Sequence, residues 1–369
     1  MVQDTETGMS GTAAQARAGT AKGIALIVQK WAGMAKFRRR PRLAAALYRL
    51  ALLIAPDLPL AQRERAKSRP RRPGQAPHIR ALILGTSGTC NASCAHCPTG
   101  KASTAATPRG AMPMALFRKI VDGIAADGVA VDHVGFGLFG DGLLDPLVIE
   151  RARYLRDRLP DLSLAVNTNG AAYAPARHAA LFPLIGSLVL HCESLVPATY
   201  DRLMTPLRAR NVFPKYAMIL RDFPGKVRVS VPVSRANLAE LDAIRAWFMA
   251  RGAREVVFDA LSSRCMDDRT TFDQLALAPV PIRCSAAVTE DLIVDCDGAV
   301  VACCNDFARE QPIGNLASDG FRETMVHRAR RRFAEDMAEG RHDAIPLCSR
   351  CFGDIRTPGF PFDRHSAAA

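Results

Sequence analysis

The sequence predicts an α/β fold built on a parallel sheet, and three observations carry that prediction. From His78 onward, short apolar runs alternate with longer stretches rich in Ala, Leu and Arg. Alternation on this scale favours parallel strands joined by helical crossovers. Three cysteines follow the first apolar run directly, which places metal- or redox-competent side chains at a strand end. The chain has 369 residues, 49% of them hydrophobic, enough for one large domain or two moderate ones.

In chain order, residues 1–20 are small and polar and read as disordered. Residues 23–55 predict two helices, the second carrying Leu43, Leu47, Leu50 and Ile54 on one face. That helix, at about 13 residues, is too short to cross a bilayer. Arg38-Arg39-Arg40 and Arg69-Pro-Arg-Arg72 flank it. The net charge of +13 is concentrated here: residues 1–80 hold 16 Lys+Arg against 4 Asp+Glu, and the remainder is close to neutral. A basic arm on a neutral core points to docking rather than to a polyanionic substrate. Two readings stand side by side: an amphipathic helix on an anionic membrane surface, or a helix packed on the rest of the chain or on a second copy. Nucleic acid is not expected as a partner, because the arm has few aromatics to stack on bases. Arg69–Pro77 reads as a linker.

Six strands are predicted at Ile79–Leu84, His133–Phe139, Leu162–Val166, Ser187–Leu190, Val227–Val233 and Glu255–Phe258. The clearest helices between them are Met114–Ala126, Pro146–Arg158 and Leu238–Arg251. No signal-peptide core and no run of 18 uncharged apolar residues occurs, so a cytoplasmic location is expected, with possible peripheral contact at the inner membrane surface through residues 23–72. Eleven cysteines in such a chain favour metal or redox chemistry over disulfides.

The first cysteine motif is Cys90-Asn-Ala-Ser-Cys94-Ala-His-Cys97, a CxxxCxxC loop leaving a strand. A closed structural metal site needs four ligands, so three thiolates leave a metal position free for chemistry. This motif resembles that of the radical S-adenosylmethionine (radical SAM) superfamily. The resemblance implies a partial (β/α)6 TIM-like barrel, a 4Fe–4S cluster on Cys90, Cys94 and Cys97, and S-adenosylmethionine on the fourth iron, with His96 beside it. Gly140-Asp141-Gly142 stands where the family usually carries Gly-Glu-Pro, whose acid and backbone carbonyls bind the cofactor's ammonium. The carboxylate survives one methylene shorter, and a rigid residue is lost. By the same resemblance Asn169 in Asn-Thr-Asn-Gly170 orients groups near the cofactor, Glu193 and Ser194 meet its ribose or carboxylate, and Arg235 pairs with its carboxylate.

A second constellation follows: Cys284, the pair Cys303-Cys304 and Cys348-Ser-Arg-Cys351, with a hairpin turning at Asp297-Gly298. It resembles the SPASM/twitch extension of radical SAM enzymes, which implies one auxiliary 4Fe–4S cluster on Cys284, Cys303, Cys348 and Cys351, with Cys304 an alternative to Cys303. By spacing alone an all-thiolate zinc site fits equally. Cys192, Cys265, Cys296 and Cys304 read as small structural hydrophobes. The implied organisation is a basic arm at 1–77, a barrel at 78–265, an auxiliary-cluster domain at 266–355 and a tail at 356–369. The implied activity is abstraction of hydrogen from an unactivated C–H bond of a small alcohol, sugar-like or lipid-linked molecule by a 5′-deoxyadenosyl radical. The auxiliary cluster would accept an electron, and a flavodoxin- or ferredoxin-type partner would donate one. Peptide maturation and a zinc-stabilised binding protein are the alternatives.

Overall fold

The computed structural model describes residues 20–34, 41–56, 58 and 78–354, and they divide into two compact units at residues 75/76. The segments read as disordered N-terminus, linker and tail, together with both arginine clusters, lie outside the described residues.

The described residues of the first unit form two helices, 20–34 and Pro41–Ile54. Ala25, Val28 and Ala32 pack against Tyr48, Ala51, Leu52 and Ala55, and the small side chains let the two helices approach closely. This seam differs from the predicted stripe. Leu47 and Ile54 of that stripe pack against the seam, whereas Leu43 and Leu50 are exposed and Tyr48, Ala51 and Leu52 take its centre. The other side of the first helix also stays apolar, with Ile24, Leu26, Ile27, Trp31 and Met34 all exposed.

The second unit is built on a sheet whose first six strands run parallel: β1 (His78–Leu84), β2 (Ala130–Phe136), β3 (Leu164–Thr168), β4 (Ser187–His191), β5 (Val227–Val233) and β6 (Glu255–Ala260). Their runs of Val, Leu and Ile are buried against helices, as a parallel sheet requires. The helix Met114–Ala126 buries Leu116, Phe117, Ile120, Val121 and Ile124, one face at helical spacing, and Phe117 meets Phe136 edge-on at 5.7 Å. Strand β2 stops three residues before the predicted Phe139. Gly137 takes φ of +82° and turns the chain, and Phe139 packs instead against Phe307. Strand β3 runs two residues past its predicted end, because Asn167 and Thr168 still pair with Val189 and Leu190.

The C-terminal third does not stand apart from this sheet. Strands β8 (Leu292–Val294), β9 (Ala299–Val301) and β10 (Pro312–Asn315) extend it to nine, in the order β10-β9-β8-β1-β2-β3-β4-β5-β6. Strand β8 lies parallel to β1, with Leu84 opposite Val294, and so covers the edge that a six-stranded sheet leaves open. A small antiparallel pair, β7 (Pro279–Pro281) and β11 (Phe352–Asp354), closes the domain.

Candidate functional site

Every motif after a strand sits at the C-terminal mouth of the parallel sheet, where a barrel of this type gathers its chemistry. The CxxxCxxC loop follows β1 and is tied to its surroundings by backbone hydrogen bonds. Gly85 N–H donates to the Val294 carbonyl at 2.7 Å, Ser93 N–H to Thr205 at 2.6 Å and Ala95 N–H to Leu203 at 2.8 Å. Cys94 Sγ lies 3.5 Å from Met204 Sδ. The three thiols are half-buried and feel one another electrostatically. Burial pushes Cys90 up to about 11. Burial, then the Glu193 carboxylate, pushes Cys94 well above its usual range. Such thiols keep their protons until a cation replaces them.

The loop after β2 is pressed against this turn. A Cβ on Gly140 would collide with the Ser87 and Thr89 carbonyls and lie 2.7 Å from the Thr89 nitrogen, so no larger residue fits there. Asp141 is 3% exposed, and all its capacity is used inside the protein. It accepts from Leu143 N–H at 2.9 Å, from the Thr168 hydroxyl at 2.9 Å and from Asn169 N–H at 2.8 Å. Burial raises its pKa while those donors pull it down. Asp141 thus pins the β2 loop to the β3 loop. Asn169 in turn donates to Asn91 Oδ1 at 2.8 Å and to Cys90 Sγ at 3.8 Å, reaching the thiol loop itself. Asn91 carries no motif signal and was missed in the sequence; only this contact identifies it.

His96 and Glu193 face each other, with Nε2 to Oε1 at 3.8 Å. Burial lowers His96 to about 3, with Arg264 adding to it, and burial raises Glu193 to about 8, against the pull of Arg264. Both shifts favour the neutral forms, which weakens any ion pair between them. Two expected cofactor contacts are engaged elsewhere. The Ser194 hydroxyl donates to Glu240 and accepts from Val196 N–H at 2.9 Å. The Arg235 guanidinium donates to the carbonyls of Ala276 at 2.7 Å and Leu277 at 2.9 Å, just past the helix Thr270–Leu275, whose last carbonyl accepts from Arg235 N–H at 2.8 Å.

The second constellation also converges. Cys284 feels Cys303 and Cys351, and Cys348 feels Cys303, Cys284 and Cys351; burial raises both thiols to about 12. Cys303 is felt by both Cys284 and Cys348, and Cys304 by Cys284. The hairpin that delivers Cys303 is clamped by Arg309, whose guanidinium takes both Asp295 and Asp297. Cys192 and Cys296 are buried as expected of small hydrophobes, but Cys304 is exposed. Cys265 is not isolated either: it packs in one cluster with Cys351 and Cys303 and feels both thiols. No spacing rule flagged it, because it lies outside both motifs.

Soft thiolate donors, three in one place and four in another, are the set an iron–sulfur cluster takes. Among the described residues no three His, Cys, Asp or Glu side chains close on a point as a single metal ion would require. The thiolates of a cubane each go to a different iron and are not so constrained. The residues present therefore fit clusters.

Residues 284–352 match the SPASM family, an iron-sulfur cluster-binding domain. Among solved structures, BtrN in complex with AdoMet and 2-DOIA shares 18% identity at a TM-score of 0.52, covering 74% of this chain and 92% of that one. Native anSMEcpe with bound AdoMet and Kp18Cys peptide shares 12% identity at a TM-score of 0.56, covering 71% and 84%. No curated protein sequence matches the chain. The structural likeness establishes the fold as a partial α/β barrel, and the family match establishes the C-terminal domain. Together they bear out the resemblance to radical SAM enzymes with a SPASM extension.

Proposed function

We propose that this protein is a radical SAM oxidoreductase with one auxiliary cluster, acting on a small alcohol, sugar-like or lipid-linked molecule. The observation that supports it most is the pairing of a three-thiol loop at the mouth of β1 with a four-thiol set in the adjoining domain. Cys90, Cys94 and Cys97 would hold a 4Fe–4S cluster, and Cys284, Cys303, Cys348 and Cys351 a second. A cluster and S-adenosylmethionine held at the first site would supply radical chemistry able to abstract hydrogen from an unactivated C–H bond, by way of a 5′-deoxyadenosyl group. A four-thiolate cluster offers one-electron exchange, with no iron left open.

The chain's own residues orient and shield. Asp141 fixes the Gly140–Gly142 backbone, leaving its carbonyls as the groups for the cofactor's ammonium. Asn169 holds the thiol loop through Asn91, and His96 caps it as a neutral ring. Glu193, whose carboxyl burial pushes up, lies at the same mouth beside His96 and would face a cofactor bound there. The ligand named for BtrN, 2-DOIA, favours a small-molecule substrate; the peptide named for anSMEcpe supports the maturase alternative. Anaerobic reconstitution separates these readings from a zinc protein. About eight irons per chain, with 5′-deoxyadenosine released under dithionite, are expected. A colourless protein holding two zincs, with no cleavage of S-adenosylmethionine, would refute the enzyme.

The basic arm we assign to an anionic membrane surface. No helix among the described residues is long and apolar enough to cross a membrane. The helix 20–34 instead exposes Ile24, Ile27 and Trp31 at 49%, 54% and 58%, and Leu53 on its partner helix is 82% exposed. An apolar face of this size within a segment of strong positive charge suits the headgroup region of anionic lipids. The full chain is expected to float with phosphatidylglycerol vesicles, less so as salt rises, and not with neutral ones. A chain lacking residues 1–72 that floats equally well would dispose of this assignment.

A further inference from the structure

Cys303 and Cys351 differ from the other thiols of the second constellation in what surrounds their sulfurs. Asn305 N–H donates to Cys303 Sγ at 3.2 Å, and Asn305 Nδ2 donates to Cys351 Sγ at 3.8 Å. The buried Cys265 thiol sits in the same packed cluster and feels the same two sulfurs. One side chain and one backbone group on Asn305, and one thiol on Cys265, thus bracket a single edge of the four-thiol set.

Both donors are held there by the fold. The loop after β6 is zipped to the CxxC end: Ser263 N–H donates to the Phe352 carbonyl at 2.8 Å, and Asp354 N–H donates to Leu261 at 3.0 Å. Phe352 N–H also donates to Ser263 Oγ at 3.0 Å. Having made those bonds, the chain turns sharply, with Arg264 at φ +52° and Cys265 at φ +57°. Two consecutive residues with side chains in the left-handed region are uncommon and persist only where surrounding contacts enforce them. The turn carries Cys265 to Cys351. The amide of Asn305 is oriented from its other end, since Oδ1 accepts from Arg264 at 3.2 Å and from Ser262 Oγ at 3.3 Å. That leaves only Nδ2 to face sulfur.

A fifth thiol beside four ligands finds no iron of its own. We infer that Cys265 and Asn305 act as a hydrogen-bonding clamp on Cys303 and Cys351 that raises the reduction potential of the auxiliary cluster. The inference rests on the functional reading above. Hydrogen bonds donated to ligand sulfur stabilise the more negative, reduced state, and they are among the factors that set a cluster's potential. Cys265 and Asn305 are positioning residues for the electron exchange and need not touch substrate.

The test uses the full chain with Cys90, Cys94 and Cys97 all changed to Ser, so that one cluster remains, reconstituted anaerobically. Iron is counted and the midpoint read by a redox titration followed by electron paramagnetic resonance. With Cys265→Ala or Asn305→Ala, iron is expected to stay at about four per chain and the midpoint to fall. The double variant should fall further, and Cys265→Ser, which keeps a donor, should restore part of the shift. A full cluster with an unmoved midpoint in both single variants overturns the clamp alone. Loss of iron in Cys265→Ala and Cys265→Ser, with iron retained in Asn305→Ala, makes Cys265 a ligand and also overturns it. A parent chain that assembles no iron–sulfur cluster sinks the functional reading itself, and the clamp with it.

Discussion

Changing Cys94 to Ala is expected to halve the reconstituted iron, from about eight to about four per chain, and to abolish release of 5′-deoxyadenosine. The halving follows from separation. Cys94 belongs to the thiol loop after β1, while Cys284, Cys303, Cys348 and Cys351 lie in the C-terminal domain, so one site is emptied and the other kept. The loss of activity should exceed the roughly 10–100-fold that removal of an outer-shell partner costs, because a direct ligand is removed. The fold should survive: Cys94 is only partly buried, and the loop's ties to Thr205 and Leu203 run through backbone atoms of its neighbours. Iron counting, visible absorbance and chromatography of the nucleoside products check it. Undiminished nucleoside release from the variant would remove the basis for assigning the open-iron site to this loop.

Much of this was legible in the sequence, for reasons that particular residues make plain. The parallel strands announce themselves because both faces are covered, so Val227–Val233 reads as a strand from end to end. The CxxxCxxC loop is legible because its ligands are local. What was not legible depends on contacts between distant segments. Strands of three residues, such as Leu292–Val294, are too short to show a period, so their alignment on β1 left no trace. Asp141 and Arg235 carry the charges that a cofactor would want. Whether either is free depends on Thr168, Asn169 and the carbonyls after Leu275, which only the fold brings near. The neighbourhood of Cys265, buried as a small hydrophobe, was hidden for the same reason. Its partners, Cys303 and Cys351, lie far along the chain, and no motif spans the gap.

The helical arm shows the same limit in another form. A stripe of leucines at helical spacing predicts a buried face only if packing is decided by hydrophobicity. Here it is decided by size: Ala25 and Ala32 let Tyr48 and Ala51 come close, and Leu43 and Leu50 are left outside. Apolar residues on a helix thus marked the interaction face without saying which partner it serves.

The largest effect on stability is expected at Arg151. Its side chain is fully buried, as is that of its partner Asp145, with Nε to Oδ2 at 2.8 Å. The guanidinium also donates to the Met112 carbonyl and lies over the Phe117 ring at 5.2 Å. Asp145 is otherwise held only by Leu147 N–H at 3.0 Å on its other oxygen. Arg151→Met removes the cation and strands a carboxylate where water does not reach, which costs about 3–5 kcal/mol. That is a fifth or more of the ~5–15 kcal/mol that stabilises an ordinary domain. Arg118 and Glu150 form a natural control, at 3.1 Å but about half exposed on both sides, where the Arg118→Met change should cost ~1 kcal/mol or less. Changing both buried partners, Arg151→Met with Asp145→Asn, should recover part of the loss, because no charge is then stranded. Asp145 ends the Gly142–Leu144 turn that follows Asp141, so the same change should loosen the loop pinned to Thr168 and Asn169. Urea midpoints of the four chains check this series. Equal midpoints for Arg151→Met and Arg118→Met would show that the buried pair contributes no more than the surface one.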